Sequence, residues 1–217
     1  MDLINKDFEK LLDNTFLTEN VSLFLYSLIR CCLPTNVLEI GAGYSTLFLA
    51  KALNDSVDYL HSLNFCEKDT YWTTKYKPIL NIIENEQSED DKLLNIQNTL
   101  IKLKLDKFVK IHNQNGNTFN NNEKYDFIWI DYGSAQNYWP IFEHYKNLLM
   151  EGGIIVMHST LTNLWGRLFL TELKLEISKG LYSDLELITF LEPHKLNQNS
   201  FTVIKKTTKD PIYTINN

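Results

Sequence analysis

Residues 37–46 read Val-Leu-Glu-Ile-Gly-Ala-Gly-Tyr-Ser-Thr, an apolar strand that stops on two glycines one residue apart and passes at once into a helix start. Such a turn exposes bare backbone, so Gly41 and Gly43 let a ligand come close where any side chain would hold it off. The helix that begins at Ser45 or Thr46 presents unbonded N–H groups to the same place. Two glycines alone are also compatible with a tight turn that binds nothing.

The neighbours of this turn separate the ligands that use it. Thr46 stands where the third glycine of a dinucleotide fingerprint would be. Glu39 sits two residues before Gly41 in an otherwise apolar strand, where a carboxylate needs a partner. An anion there suits a cationic ligand, such as the amino group and sulfonium of S-adenosylmethionine, better than a pyrophosphate. A ribose calls for a second acid about 20 to 25 positions further on, at the tip of the next strand, to accept its vicinal hydroxyls. With that strand read at 59–65, Glu67 is the residue; a plain surface charge is its alternative.

Outward from this point, short apolar runs alternate with stretches of helical period, which is the pattern of a parallel sheet with crossover helices. Residues 3–30 suit two amphipathic helices, with Thr18 or Asn20 capping the second and Pro34 ending it. Strands are expected at 36–40, 59–65, 108–112, 125–130, 154–158, 185–191 and 201–205. Helices are expected at 45–52, around 73–85 with Pro78 near the first turn, and at 92–104, 139–150 and 164–178. Residues 113–122 and 151–153 read as turns. The expected fold is α/β, a doubly wound, mostly parallel seven-stranded sheet with an antiparallel edge strand and helices on both faces. Without repeats or linkers, residues 1–217 read as one domain, with 1–33 a helical N-terminal cap.

Three blocks resemble one known family. Residues 37–53 resemble motif I of class I S-adenosylmethionine-dependent methyltransferases, and Gly-Tyr-Ser-Thr-Leu-Phe-Leu-Ala looks like the small-molecule O-methyltransferase branch. Cys-Glu-Lys-Asp-Thr-Tyr-Trp, 66–72, resembles its acidic second-strand tip, and 125–158 its fourth and fifth strands. The resemblance implies S-adenosylmethionine as cofactor, held by Glu39, Gly41, Gly43, Tyr44, Ser45, Glu67, Asn115 and Asp131, with Asn115 in the loop that meets adenine. Asp131 and His158, at neighbouring strand tips, are the catalytic candidates. Two departures stand out. Tyr132-Gly133-Ser134 follows Asp131 where the branch carries Asp-Gly-x-His, and His158-Ser159-Thr160 replaces the Asp-Asn pair of metal-dependent relatives. No metal is expected, because imidazole is a poor magnesium ligand.

Composition narrows the remaining classes. Of 217 residues, 44% are hydrophobic and 22% charged, as in an ordinary globular protein. A net charge of -6 argues against a surface built to grip nucleic acid. Cys31, Cys32 and Cys66 lack zinc or disulfide spacing, and neither an N-terminal leader nor a membrane span is legible, so a cytoplasmic protein is expected. The histidines show no ligand spacing, and no phosphate-binding lysine loop is present. The reading is methyl transfer to an O or N nucleophile of a small molecule, with a homodimer compatible. A non-catalytic cofactor-binding protein of the same fold is the rival, and a nicotinamide-dependent oxidoreductase stands third.

Overall fold

The computed structural model describes residues 18–62, 76–85, 92–131 and 138–207. Seven strands, β1 (Asn36–Ile40), β2 (Ile79–Glu84), β3 (Val109–Asn113), β4 (Tyr125–Ile130), β5 (Leu149–His158), β6 (Leu185–Leu191) and β7 (Ser200–Lys206), form one sheet in the order β3-β2-β1-β4-β5-β7-β6. β2 runs parallel to both β1 and β3, while β7 is antiparallel to both β5 and β6. The helices are α1 (Glu19–Cys32), α2 (Tyr44–Ser62), α3 (Lys92–Lys102), α4 (Tyr138–Leu148) and α5 (Leu164–Ser178). This is the doubly wound α/β sheet expected from the alternation of runs. The chain divides into two compact units, residues 1–121 with 129–133, and 122–128 with 134–217.

In the first unit, β1 and β2 are buried almost end to end, as strands covered on both faces must be. α1 lays Val21, Leu25 and Ile29, spaced by four, against α2. Tyr26 donates from its hydroxyl to Asp55 Oδ2 at 2.8 Å, and Lys51 pairs with the same carboxylate at 2.9 Å. Thr18 takes the N-cap position of α1 without a side-chain bond, and Leu33, in the left-handed region, ends the helix before Pro34.

Two expectations fail here. Of the strand read at 59–65, residues 59–62 are helix, because α2 continues to Ser62 with Leu49, Leu53, Ser56 and Leu60 still turned inward at helical spacing, and 63–65 lie outside the described residues. The second strand is Ile79–Glu84, inside the stretch 73–85 read as helical. Leu80 to Ile83 form a buried run that is apolar except for Asn81, and Pro78 lies just ahead of the strand, where its missing N–H breaks no ladder. A short buried run has no period to distinguish strand from helix.

The second unit is organised by aromatic packing. The Trp139 ring lies 5.1 Å from that of Phe169, and Phe142 lies 5.5 Å from Phe169. Asn163 caps α5 by accepting the Gly166 N–H at 2.8 Å. β5 begins at Leu149, so the expected turn 151–153 is part of the strand, bent at Gly152, whose φ is 76°. No helix among the described residues is long and apolar enough to cross a membrane.

Candidate cofactor and active site

Backbone hydrogen bonds set the ends of four strands side by side. Gly41 N–H donates to Ile83 O at 3.0 Å, Asp131 N–H to Ile40 O at 2.9 Å, and Gln114 N–H to Glu84 O at 3.1 Å. The carboxyl ends of β3, β2, β1 and β4 therefore form one rim, the region where open α/β sheets bind ligands. Gly41 has φ 93°, a conformation that side chains resist, so this position is glycine for backbone reasons. Gly43 differs. A Cβ built there meets no atom within 4 Å, so neither packing nor conformation calls for glycine, and the space above it is open.

Glu39, one residue before the end of β1, carries its carboxylate beside this rim with no solvent exposure. Ser45 Oγ donates to its Oε1 at 2.7 Å, and Trp129 Nε1 donates to Ser45 Oγ at 3.1 Å. Oε2 is buried and has no hydrogen-bond partner among the described residues. Burial pushes the Glu39 carboxyl up to about 8, against the pull of the Ser45 and Thr46 hydroxyls, and the carboxylates of Asp131 and Glu84 push it further the same way. Three acidic groups on three adjacent strand tips thus share one field. That field repels phosphate and favours a cation.

Glu84 is the residue the sequence reading missed. It ends β2, and its Oε2 accepts the Ala42 N–H at 2.6 Å, tying the second strand tip to the glycine turn. The position assigned to Glu67, the tip of the second strand, belongs to Glu84, while Glu67 itself lies outside the described residues. The signal was present: Leu-Asn-Ile-Ile-Glu, 80–84, is a mostly apolar run that ends in an acid.

The other predicted residues divide. Ser45 spends its hydroxyl on Glu39 and Trp129, so it supports the site from behind. Tyr44 is buried, with its ring 5.0 Å from that of Phe48. Asn115 receives the Asn117 N–H on its side-chain oxygen at 2.9 Å, and its carbonyl accepts from Phe119 N–H at 2.9 Å, which makes it the organiser of its own turn. Asp131 stands half-buried directly after β4. In the second unit, His158 ends β5, buried, opposite Phe201 of β7. Beyond it Thr160 Oγ1 shares a hydrogen bond with Thr202 Oγ1 at 2.7 Å, and Ser159 N–H donates to Ser200 O at 2.6 Å. The residues that replace the Asp-Asn pair of metal-dependent relatives are thus engaged with β7. Among the described residues no group of three His, Cys, Asp or Glu side chains is placed to hold a metal ion. Tyr138 and Trp139 pack against Phe169, and the Tyr138 hydroxyl donates to Ser159 O at 2.9 Å.

A seven-stranded sheet of this order, with acids and a glycine turn at its carboxyl rim, is the class I methyltransferase arrangement. A family model described as a methyltransferase domain matches residues 38–160, more than half of the chain, and the chain belongs to that family. No protein of curated function matches the sequence. Among solved structures, the O-methyltransferase TomG of Streptomyces achromogenes, involved in tomaymycin synthesis and in complex with S-adenosylmethionine, is similar with a TM-score of 0.69 at 16% identity, over 94% of this chain and 91% of its own. An O-methyltransferase from Bacillus cereus in complex with S-adenosylhomocysteine gives 0.68 at 16%, over 94% and 92%. An rRNA methylase from Streptococcus thermophilus gives 0.54 at 12%, over 87% and 95%.

Proposed function

We propose that this protein transfers a methyl group from S-adenosylmethionine to an O or N nucleophile of a small molecule. The observation that carries the reading is the acidic rim: Glu39, Glu84 and Asp131 on adjacent strand tips, around a glycine whose missing side chain leaves open space. The unpartnered Oε2 of Glu39 fits a cationic group of the cofactor, and Glu84 stands where a ribose would find its acid. When bound, the cofactor supplies an electrophilic methyl on a sulfonium. The chain holds that donor, orients the acceptor and receives its proton. Asp131 is the orienting candidate. His158 is the proton acceptor, since imidazole is the side chain best suited to take a proton near neutral pH. The acidic net charge favours a small acceptor over nucleic acid, and exposed thiols at Cys31 and Cys32 suit the reducing cytoplasm.

Thermal denaturation tests the cofactor. S-adenosylhomocysteine at about a hundredfold excess over its dissociation constant should stabilise the native state by about 2.7 kcal/mol, and NAD should leave the melting temperature where it was. A larger shift with NAD, or none with S-adenosylhomocysteine, overturns the assignment.

The ribose acid is decided by comparing two variants. Glu84→Ala is expected to weaken S-adenosylhomocysteine binding by about 1.5 to 3 kcal/mol, the cost of losing a charged acceptor, with Glu67→Ala close to the parent in titration calorimetry. The reverse order would restore Glu67 to that role.

Turnover is expected to proceed in excess chelator, because the β5 tip offers His158 and two hydroxyl residues bonded to β7 in place of carboxylate and amide oxygens. Activity lost to chelator and regained with magnesium would refute this, and full activity in His158→Ala would remove the imidazole from the reaction.

A further inference from the structure

We propose that Trp129 is a positioning residue for the cofactor site, acting through Ser45 to decide which oxygen of Glu39 faces the ligand. The inference rests on the functional reading above and extends it to a residue with no ligand contact of its own. Its basis is the direction of two hydrogen bonds. An indole N–H can only donate, so in the 3.1 Å contact the Ser45 oxygen must accept. With that lone pair used, the single hydroxyl proton of Ser45 is left to point at Glu39 Oε1, 2.7 Å away. Oε1 is satisfied from within the protein and Oε2 is not. Trp129, Ser45 and Glu39 are each 1% exposed or less, so water does not compete for any of these bonds.

The arrangement explains why a large polar-edged ring stands near the end of β4, where an aliphatic residue would fill a core as well. Without the indole, the Ser45 oxygen keeps only its bond to Glu39 Oε1, so Ser45 itself is less firmly placed and, beside the pull of the Thr46 hydroxyl, holds the Glu39 carboxylate less strictly in one orientation. A carboxylate that must be ordered at the moment of binding binds less tightly than one ordered beforehand. The only cation on S-adenosylhomocysteine is its amino group, because its sulfur is a neutral thioether, so Glu39 should matter for that ligand and not for adenosine.

A double-mutant cycle on the full chain tests this, with titration calorimetry using S-adenosylhomocysteine and adenosine as the two probes. Trp129→Phe and Ser45→Ala should each lower affinity for S-adenosylhomocysteine about tenfold, in line with loss of a hydrogen bond to a charged group. The double variant should bind no more weakly than Ser45→Ala alone, since the indole acts only through the hydroxyl. Adenosine affinity should stay unchanged in all three. Additive losses, or equal losses for adenosine, would show Trp129 to be a packing residue and overturn the proposal. Ser45→Ala with parental affinity overturns it as well, even if Trp129→Phe does not fold. Failure of the parent protein to bind S-adenosylhomocysteine at all would instead refute the cofactor assignment on which the inference stands.

Discussion

Glu39→Gln is expected to make the ligand-free protein more stable above pH 8 while making it a poorer binder. In the folded chain burial raises the Glu39 carboxyl to about 8, against 4.5 for an ordinary glutamate. Between those two values the folded state keeps a proton that the unfolded state has lost. The group therefore costs nothing below about pH 4.5, and stability falls as pH rises towards 8, by a total on the order of 3 to 5 kcal/mol. Glutamine keeps the shape and cannot ionise, so the variant should lose this slope. Denaturant unfolding at pH 5 and pH 9 measures it; parallel pH dependences in parent and variant would contradict the assignment. Binding gives the opposite sign. A cationic ligand favours the ionised carboxylate, so S-adenosylhomocysteine should displace up to one proton near pH 7. Calorimetry in buffers of different ionisation enthalpy should show that release in the parent and none in Glu39→Gln. The site thus holds an acid whose burial destabilises the empty protein and whose charge is useful only with ligand present.

Gly43→Val should abolish the stabilisation by S-adenosylhomocysteine and leave the protein folded. The two glycines of the turn differ here. At Gly41 a φ of 93° means that any side chain strains the backbone, so a substitution would mix instability with lost binding. At Gly43 the backbone is ordinary and a Cβ meets nothing within 4 Å. Valine then costs only what a poor residue at a helix start costs, about 1 kcal/mol, while its methyls occupy the space left for the ligand. The expected readout is a melting temperature within a few degrees of the parent and no ligand-induced shift at concentrations that saturate the parent. A normal shift in the variant would mean that the ligand does not pass over this turn.

How much of this was legible beforehand differs from residue to residue. Val37 to Thr46 carries its own reading, because a strand that ends on glycines and an acid inside an apolar run are local facts with local causes. The same holds for α5, predicted at 164–178 and found there, since its apolar residues recur with helical period and Asn163 caps it through its own side chain. The second strand was misplaced because its evidence is not local. Leu80 to Ile83 are buried on both faces, Asn81 included, since β1 and β3 flank them in the sheet, and a buried run of that kind without alternation suits a buried helix equally well. With the strand displaced, the acid at its tip was sought at Glu67, and Glu84 passed unnoticed. The roles of Ser45 and Asn115 could not be read either. A serine beside a glycine turn looks like a ligand contact until its hydroxyl is found between a glutamate six residues back and a tryptophan 84 residues ahead. What the amino-acid sequence determined by itself was the class of fold and the kind of ligand, because period, glycine placement and the charge of Glu39 act over a few residues. Which carboxylates share a field, which hydroxyls are already spent, and which oxygen of Glu39 is left without a hydrogen-bond partner were decided only by the tertiary structure, because each depends on strands brought side by side from distant parts of the chain.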